Sequence, residues 1–217
     1  TRERLNSEGK TRSTETRAYE VYFVKTRPVR RLVARNGVRL SPEEQRAEDL
    51  RAEAQAKAIT QGRTVNERPG IRLSSLVDRF EFRTIGREVR DSRPTLVFAF
   101  TPRRETPRSG EEAADRITRI LRGRLFIDEE EKRVARLEAS NAPGEDAKVS
   151  TGVKLASLAT VMDFARVAPR VWLPRTVMTE GTARVFFFRT VRVRNTTAYS
   201  NYRRFEVETE ERPQPFF

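Results

Sequence analysis

Along most of this chain apolar and polar positions alternate every second residue, the pattern of strands whose two faces differ. It is densest from Gly152 to Thr209. There Val153 to Val167 and Val171 to Val177 flank Ala168-Pro169-Arg170, and Arg184 to Arg194 and Tyr202 to Thr209 flank Asn195-Thr196-Thr197. Breaks of a few turn residues predict antiparallel hairpins. In the third of these strands Val185, Phe187, Val191 and Val193 share a face with Arg189, and Phe186 and Phe188 lie on the other with Thr190, Arg192 and Arg194. Aromatics on both faces near residue 187 predict cover on both sides there, by helices or by a bound apolar ligand.

Upstream, residues 1–16 are polar around Glu8-Gly9-Lys10 and predict an exposed N-terminal strand or hairpin arm. Tyr19, Val21 and Phe23 then alternate against Glu20, Tyr22 and Val24, with Pro28 ending that strand. Val29 to Ala34 is the next, closed by Asn36-Gly37, a dipeptide suited to a tight turn. Further strands are predicted around Phe80 and Phe82, over Thr95 to Phe100, and in a hairpin of Arg124 to Asp128 with Arg133 to Ala139. The run from Thr95 is almost continuously apolar and belongs in mid-sheet.

The strongest helix signal is Ser41-Pro42-Glu43-Glu44, an N-cap, a proline at the first helical position and the glutamate of a capping box. A helix from Pro42 to about Thr60 follows, closed by Gly62, with only Leu50 and Ile59 as large apolar residues. That composition predicts an exposed, Ala-rich insertion over residues 42–61. Glu111 to Arg122 carries Ala113, Ile117, Ile120 and Leu121 on one stripe and reads as an amphipathic helix stopped by Gly123. A short helix over Arg72 to Asp78 is also expected, after a polar linker from Gly62 to Gly70; residues 210–217 form a Pro-rich tail. About ten locally joined strands with two or three helices give an α+β fold: one domain over 1–217, with a large curled antiparallel sheet, an unclosed β-barrel, and helices packed on or inside it.

Composition narrows the chemistry. The chain has no His and no Cys, which removes His triads, thiol nucleophiles and N- or S-ligated zinc, so no metal and no cofactor is expected. A net charge of +13, with 38 arginines, raises nucleic acid or an anionic membrane surface as partners. The arginines are spread along strands and helices without a basic tract, so a solvated face is the preferred explanation and nucleic acid ranks last. Asp128, Glu129, Glu130 and Glu131 cluster at a hairpin turn, where solvation explains acidic residues better than a carboxylate pair for hydrolysis. Asp163 sits between Met162 and Phe164 and, if buried, needs an Arg partner. No catalytic residue is assigned, and a non-enzymatic role is expected.

Gly123-Arg124-Leu125-Phe126-Ile127-Asp128, Val134-Ala135-Arg136-Leu137-Glu138, Val171-Trp172-Leu173-Pro174 and Tyr199-Ser200-Asn201-Tyr202-Arg203-Arg204-Phe205 together resemble the bacterial outer-membrane lipoprotein-sorting proteins, relatives of the LolA-like periplasmic carriers, over about residues 80–209. The resemblance implies an unclosed β-barrel wrapped around helices, with an apolar cavity for acyl chains, in the periplasm or cell envelope. No signal peptide stands in this segment. On this reading the protein binds a lipid or an acylated lipoprotein, with Phe98, Phe100, Leu158, Met162, Trp172, Phe186 and Phe188 as cavity candidates, chosen as large apolar residues on strands expected to be central. The rival explanation makes them ordinary core of a basic scaffold domain that meets anionic envelope components or an acidic partner.

Overall fold

The computed structural model describes residues 1–25, 27–63, 78–103, 113–186 and 189–203. The expected helix over residues 72–78, the strand from Tyr202 to Thr209, the Pro-rich tail and Phe188 lie wholly or largely outside these residues.

Ten strands form one curled, unclosed antiparallel sheet. In chain order its members are β1 (Arg2–Leu5), β2 (Thr11–Glu15), β6 (Phe80–Arg90), β7 (Arg93–Pro102), β8 (Leu121–Asp128), β9 (Val134–Asn141), β10 (Ala147–Ser150), β11 (Val153–Ala168), β12 (Val171–Val185) and β13 (Arg189–Ala198). Their spatial order is β2-β1-β13-β12-β11-β9-β8-β7-β6, with β10 also on β11. Most neighbours are consecutive hairpins. Two pairs are not consecutive: β9 lies against β11, with β10 set aside, and β1 lies against β13, joining the ends of the chain with Arg2 opposite Asn195 and Leu5 opposite Arg192. Register shifts interrupt β6 against β7, β8 against β9 and, at three places, β11 against β12. Such bulges bend and twist strands locally, which suits a sheet that curls without closing.

A second sheet of β3 (Arg17–Val24), β4 (Arg27–Arg35) and β5 (Val38–Arg39) carries helix α1 (Pro42–Thr60). The start of α1 is as the sequence predicts: Ser41 caps the helix and Glu44 returns the bond to the Ser41 backbone. Gly37 and Asn36 both have positive φ at the β4–β5 turn. The helix is nonetheless not a bare spacer. Ala52 and Ile59 are buried with Val29, and Tyr22, Val24 and Ala56 pack around them. Small alanines let the helix approach the hairpin closely, and Leu50, the other large apolar residue, is 67% exposed. Pro28 does not end the strand either, since it pairs with Phe23 inside the β3–β4 ladder.

Three other boundaries depart from the sequence reading. Among the described residues helix α2 covers Ala113–Thr118, and Leu121 to Gly123 already belong to β8. Gly123 is required by the sheet rather than by a helix end: a Cβ there would stand 1.8 Å from the Glu138 carbonyl oxygen. The Asn195-Thr196-Thr197 segment is strand, paired with β12 at Thr179, Met178 and Val177. The reversal falls instead after Val185, where Phe186 adopts φ 43°. Thr is as suited to strands as to turns, and two flanking strands settle which it adopts here.

Candidate functional site

Backbone alternation sorts the large sheet into two chemically distinct faces. On one, direct cross-strand pairing gives a continuous row, Phe98 to Leu125 to Leu137 to Met162 to Val177, running over β7, β8, β9, β11 and β12. With strands about 4.8 Å apart the row is roughly 19 Å long. Beside it runs Phe82, Phe100, Gly123, Ala139 and Thr160, and beyond that Leu158, Gly181, Val193 and Arg4. The glycines of the two flanking rows are closely packed, Gly123 against the backbone of β9 and Gly181 against Leu155 and Leu158.

One end of this apolar face is filled. Phe80, Phe100, Leu121, Leu137 and Ala139 form a buried cluster, against which Ile117 of α2, Leu125, Leu158 and Met162 pack. The rings of Phe80 and Phe100 meet edge to face at 5.1 Å. Arg79 pairs with Asp115 and so ties the start of β6 to α2. Away from α2 the face is half-open: Leu96, Phe98, Leu125, Ile127, Val134, Met162, Val177 and Val193 are all only partly buried.

The opposite face is charged and internally neutralised. Asp163 lies directly across from Arg136 and accepts its guanidinium at 2.7 Å, with Arg90 at 3.4 Å. Glu138 accepts from both Arg124 and Arg136. Arg90 and Arg124 in turn lie over the ring of buried Phe126, at 5.2 and 5.5 Å from its centroid. Arg194 pairs with Glu180 and Glu3 further along. Arg90, Arg124, Arg136 and Arg194 therefore serve a lattice of ion pairs on this face, and Asp163 has the partner its burial demands.

The acidic β8–β9 turn is only partly solvated: Glu130 is exposed, whereas Asp128, Glu129 and Glu131 are drawn into the structure. Asp128 is fully buried and takes two guanidinium bonds from Arg93, at 2.6 and 3.0 Å, while accepting the Glu131 backbone N–H. The Arg93 bonds hold the Asp128 carboxyl below its usual range, against the opposing effect of burial. Glu131 accepts from the Trp172 indole and from Arg166, both at 2.7 Å. The Trp172 bond, with Arg166 adding to it, keeps this carboxyl low as well.

Of the seven residues singled out from sequence, Phe98, Phe100, Leu158 and Met162 come together on the apolar face, two of them neighbours of the buried cluster and Phe100 within it. Trp172 is bound to the β8–β9 turn through Glu131. Phe186 is 56% exposed at the β12 end, its ring beside Gly152. Leu125, Leu137 and Val177 were not singled out although they complete the row. Leu125 and Leu137 do alternate within their predicted hairpin, but only the register across four strands shows that they continue a line from Phe98 to Met162.

No grouping of acidic side chains among the described residues has the geometry of a metal site, and no described helix is long and apolar enough to cross a membrane. Set against known proteins, the chain matches no family model, no curated protein and no solved structure.

Proposed function

We propose that the protein is a non-enzymatic binder of long-chain acyl groups, carried by a lipid or by an acylated lipoprotein, working in the periplasm or cell envelope. The supporting observation is the row Phe98, Leu125, Leu137, Met162 and Val177, which is apolar across five strands and, apart from Leu137, only half-buried. Its span is comparable to an extended fatty acyl chain. Burying about fourteen methylenes at ~0.8 kcal/mol each would contribute on the order of 10 kcal/mol before ordering costs, so one such row is sufficient for useful affinity.

The charge pattern at its margin suits an anionic headgroup. Leu158, Gly181 and Val193 lead across β11, β12 and β13 to Arg4, which is exposed and has no ion pair among the described residues, and Arg2 lies on the same face. A guanidinium at the end of an apolar surface is the arrangement that takes a carboxylate or phosphate head while leaving the chain on hydrocarbon. The test is saturable binding of a long-chain fatty acid or a lipopeptide by the purified protein. Met162→Arg should abolish it with the far-UV spectrum of the sheet retained, and Arg4→Glu should weaken an anionic ligand more than its neutral ester. Absence of saturable binding by the native protein would remove this reading and leave the scaffold alternative.

A further inference from the structure

We infer that a second copy of this chain pairs with strand β6, edge to edge and antiparallel about a two-fold axis at Ile85 and Gly86, joining two large sheets into one. The inference does not depend on acyl binding. Strand β6 stands at the end of the sheet, with no described strand on its far side. It is long, at 11 residues, and it exposes Phe82, Ile85 and Val89 at 41, 47 and 74%. An edge of that length and apolar content is a ready template for another strand.

The free backbone groups can be located. Arg103 N–H donates to the Arg79 carbonyl, so alternation directs the hydrogen-bonding groups of Arg79, Glu81 and Arg83 toward β7 and those of Phe80, Phe82 and Thr84 outward. The two prolines of β7 agree, since Pro102 opposite Phe80 and Pro94 opposite Val89 have no N–H to give. The register shift between Thr84 and Gly86 reverses the parity, so Arg87 and Val89 also point outward and share a face with Phe82 and Thr84. Glu81, Arg83, Glu88 and Arg90 share the other.

A two-fold axis normal to the sheet pairs only residues of the same face. With the axis at the bulge, Phe82 meets the partner's Val89 and Thr84 meets the partner's Arg87, each bringing outward N–H and C=O groups together. Glu81 meets the partner's Arg90 and Arg83 meets the partner's Glu88. Every charge on that face then lies opposite its complement. Sliding one strand by two residues, the next register that keeps faces and hydrogen bonds, sets Glu81 on the partner's Glu88 in one direction and Arg83 on the partner's Arg90 in the other. Glu88 and Arg90 are already paired with each other, and Arg90 with Asp163, so across the axis the partner's Arg83 and the partner's Glu81 would extend existing ion pairs. Glu81 and Arg83 are exposed and have no ion pair among the described residues, so both are free for this role.

Sedimentation equilibrium of the full chain tests this. The native protein should show a reversible monomer–dimer equilibrium. Arg83→Glu, which sets two like charges in contact at each symmetric site, should raise the dissociation constant about tenfold or more. The double exchange Arg83→Glu with Glu88→Arg should restore dimerisation. Because the chain lacks Cys, Arg83→Cys with Glu88→Cys should give a covalent dimer on mild oxidation, while Arg83→Cys with Arg90→Cys should not. A native protein that stays monomeric at high concentration, or a dimer indifferent to Arg83→Glu, would overturn the inference.

Discussion

The Trp172 indole N–H donates to Glu131 Oε2 at 2.7 Å, which fastens the start of β12 to the β8–β9 turn. Arg166, paired with Trp172 across the β11–β12 hairpin, holds the other oxygen of the same carboxylate. The single Trp of the chain is therefore a reporter of that clamp. Both donors stabilise the ionised form, so its emission should stay constant as pH falls from 7 to about 4.5 and change only below the ordinary Glu range. Glu131→Gln should remove that transition. A midpoint at or above the usual Glu value would show that the clamp does not form.

Asp128 makes a linked prediction about stability. Its folded pKa lies below the unfolded one because Arg93 binds the carboxylate, so the stabilisation is present above about pH 4 and is lost as pH falls through the folded value. Thermal midpoints measured from pH 7 to pH 2 should decline in that window, and Asp128→Asn should flatten the decline while lowering stability at neutral pH by about 2–3 kcal/mol.

Gly123→Ala should be among the most costly single-methyl changes in the protein. The added carbon would meet the Glu138 carbonyl oxygen at 1.8 Å and the Ala139 Cα at 2.9 Å, and both belong to a paired strand. Relief requires moving β9 away from β8, at a cost of about 3 kcal/mol or more, read from the urea midpoint.

Helix α1 supplies a contrast between its two large apolar residues. Ile59 is 4% exposed and packs on Val29, whereas Leu50 is 67% exposed. Ile59→Ala should destabilise by about 2–4 kcal/mol and Leu50→Ala by less than about 0.5 kcal/mol, again by denaturant titration.

These contrasts mark where the sequence was readable. The start of α1 was legible because Ser41, Pro42 and Glu44 act within one turn, and the Asn36-Gly37 and Glu8-Gly9-Lys10 turns for the same reason. The α+β class and the antiparallel hairpins followed from alternation. What alternation does not carry is which strand lies beside which. The β1–β13 pairing joins residues nearly two hundred positions apart, and the same non-local contact, with β12, turns Asn195-Thr196-Thr197 into strand. The stripe Ala113, Ile117, Ile120 and Leu121 fits a helix locally, yet Leu121 pairs with Asn141 as the first residue of β8. Phe98 and Met162 were legible as large apolar residues on central strands. That Leu125 and Leu137 bridge them was not, since it rests on three registers at once.

The two methionines of the chain give the most direct test of the acyl-binding account. They fall on opposite faces: Met162 pairs with Leu137 and Val177 in the apolar row, and Met178 pairs with Val161 and Thr196 on the face that bears Glu138. In a protein labelled with carbon-13 at the methionine methyls, a long-chain fatty acid added below its critical micelle concentration should shift the Met162 signal saturably and leave the Met178 signal in place. Met162→Leu assigns the two signals. Movement of Met178 alone, movement of both in parallel without saturation, or two unmoved signals would contradict binding on the apolar face.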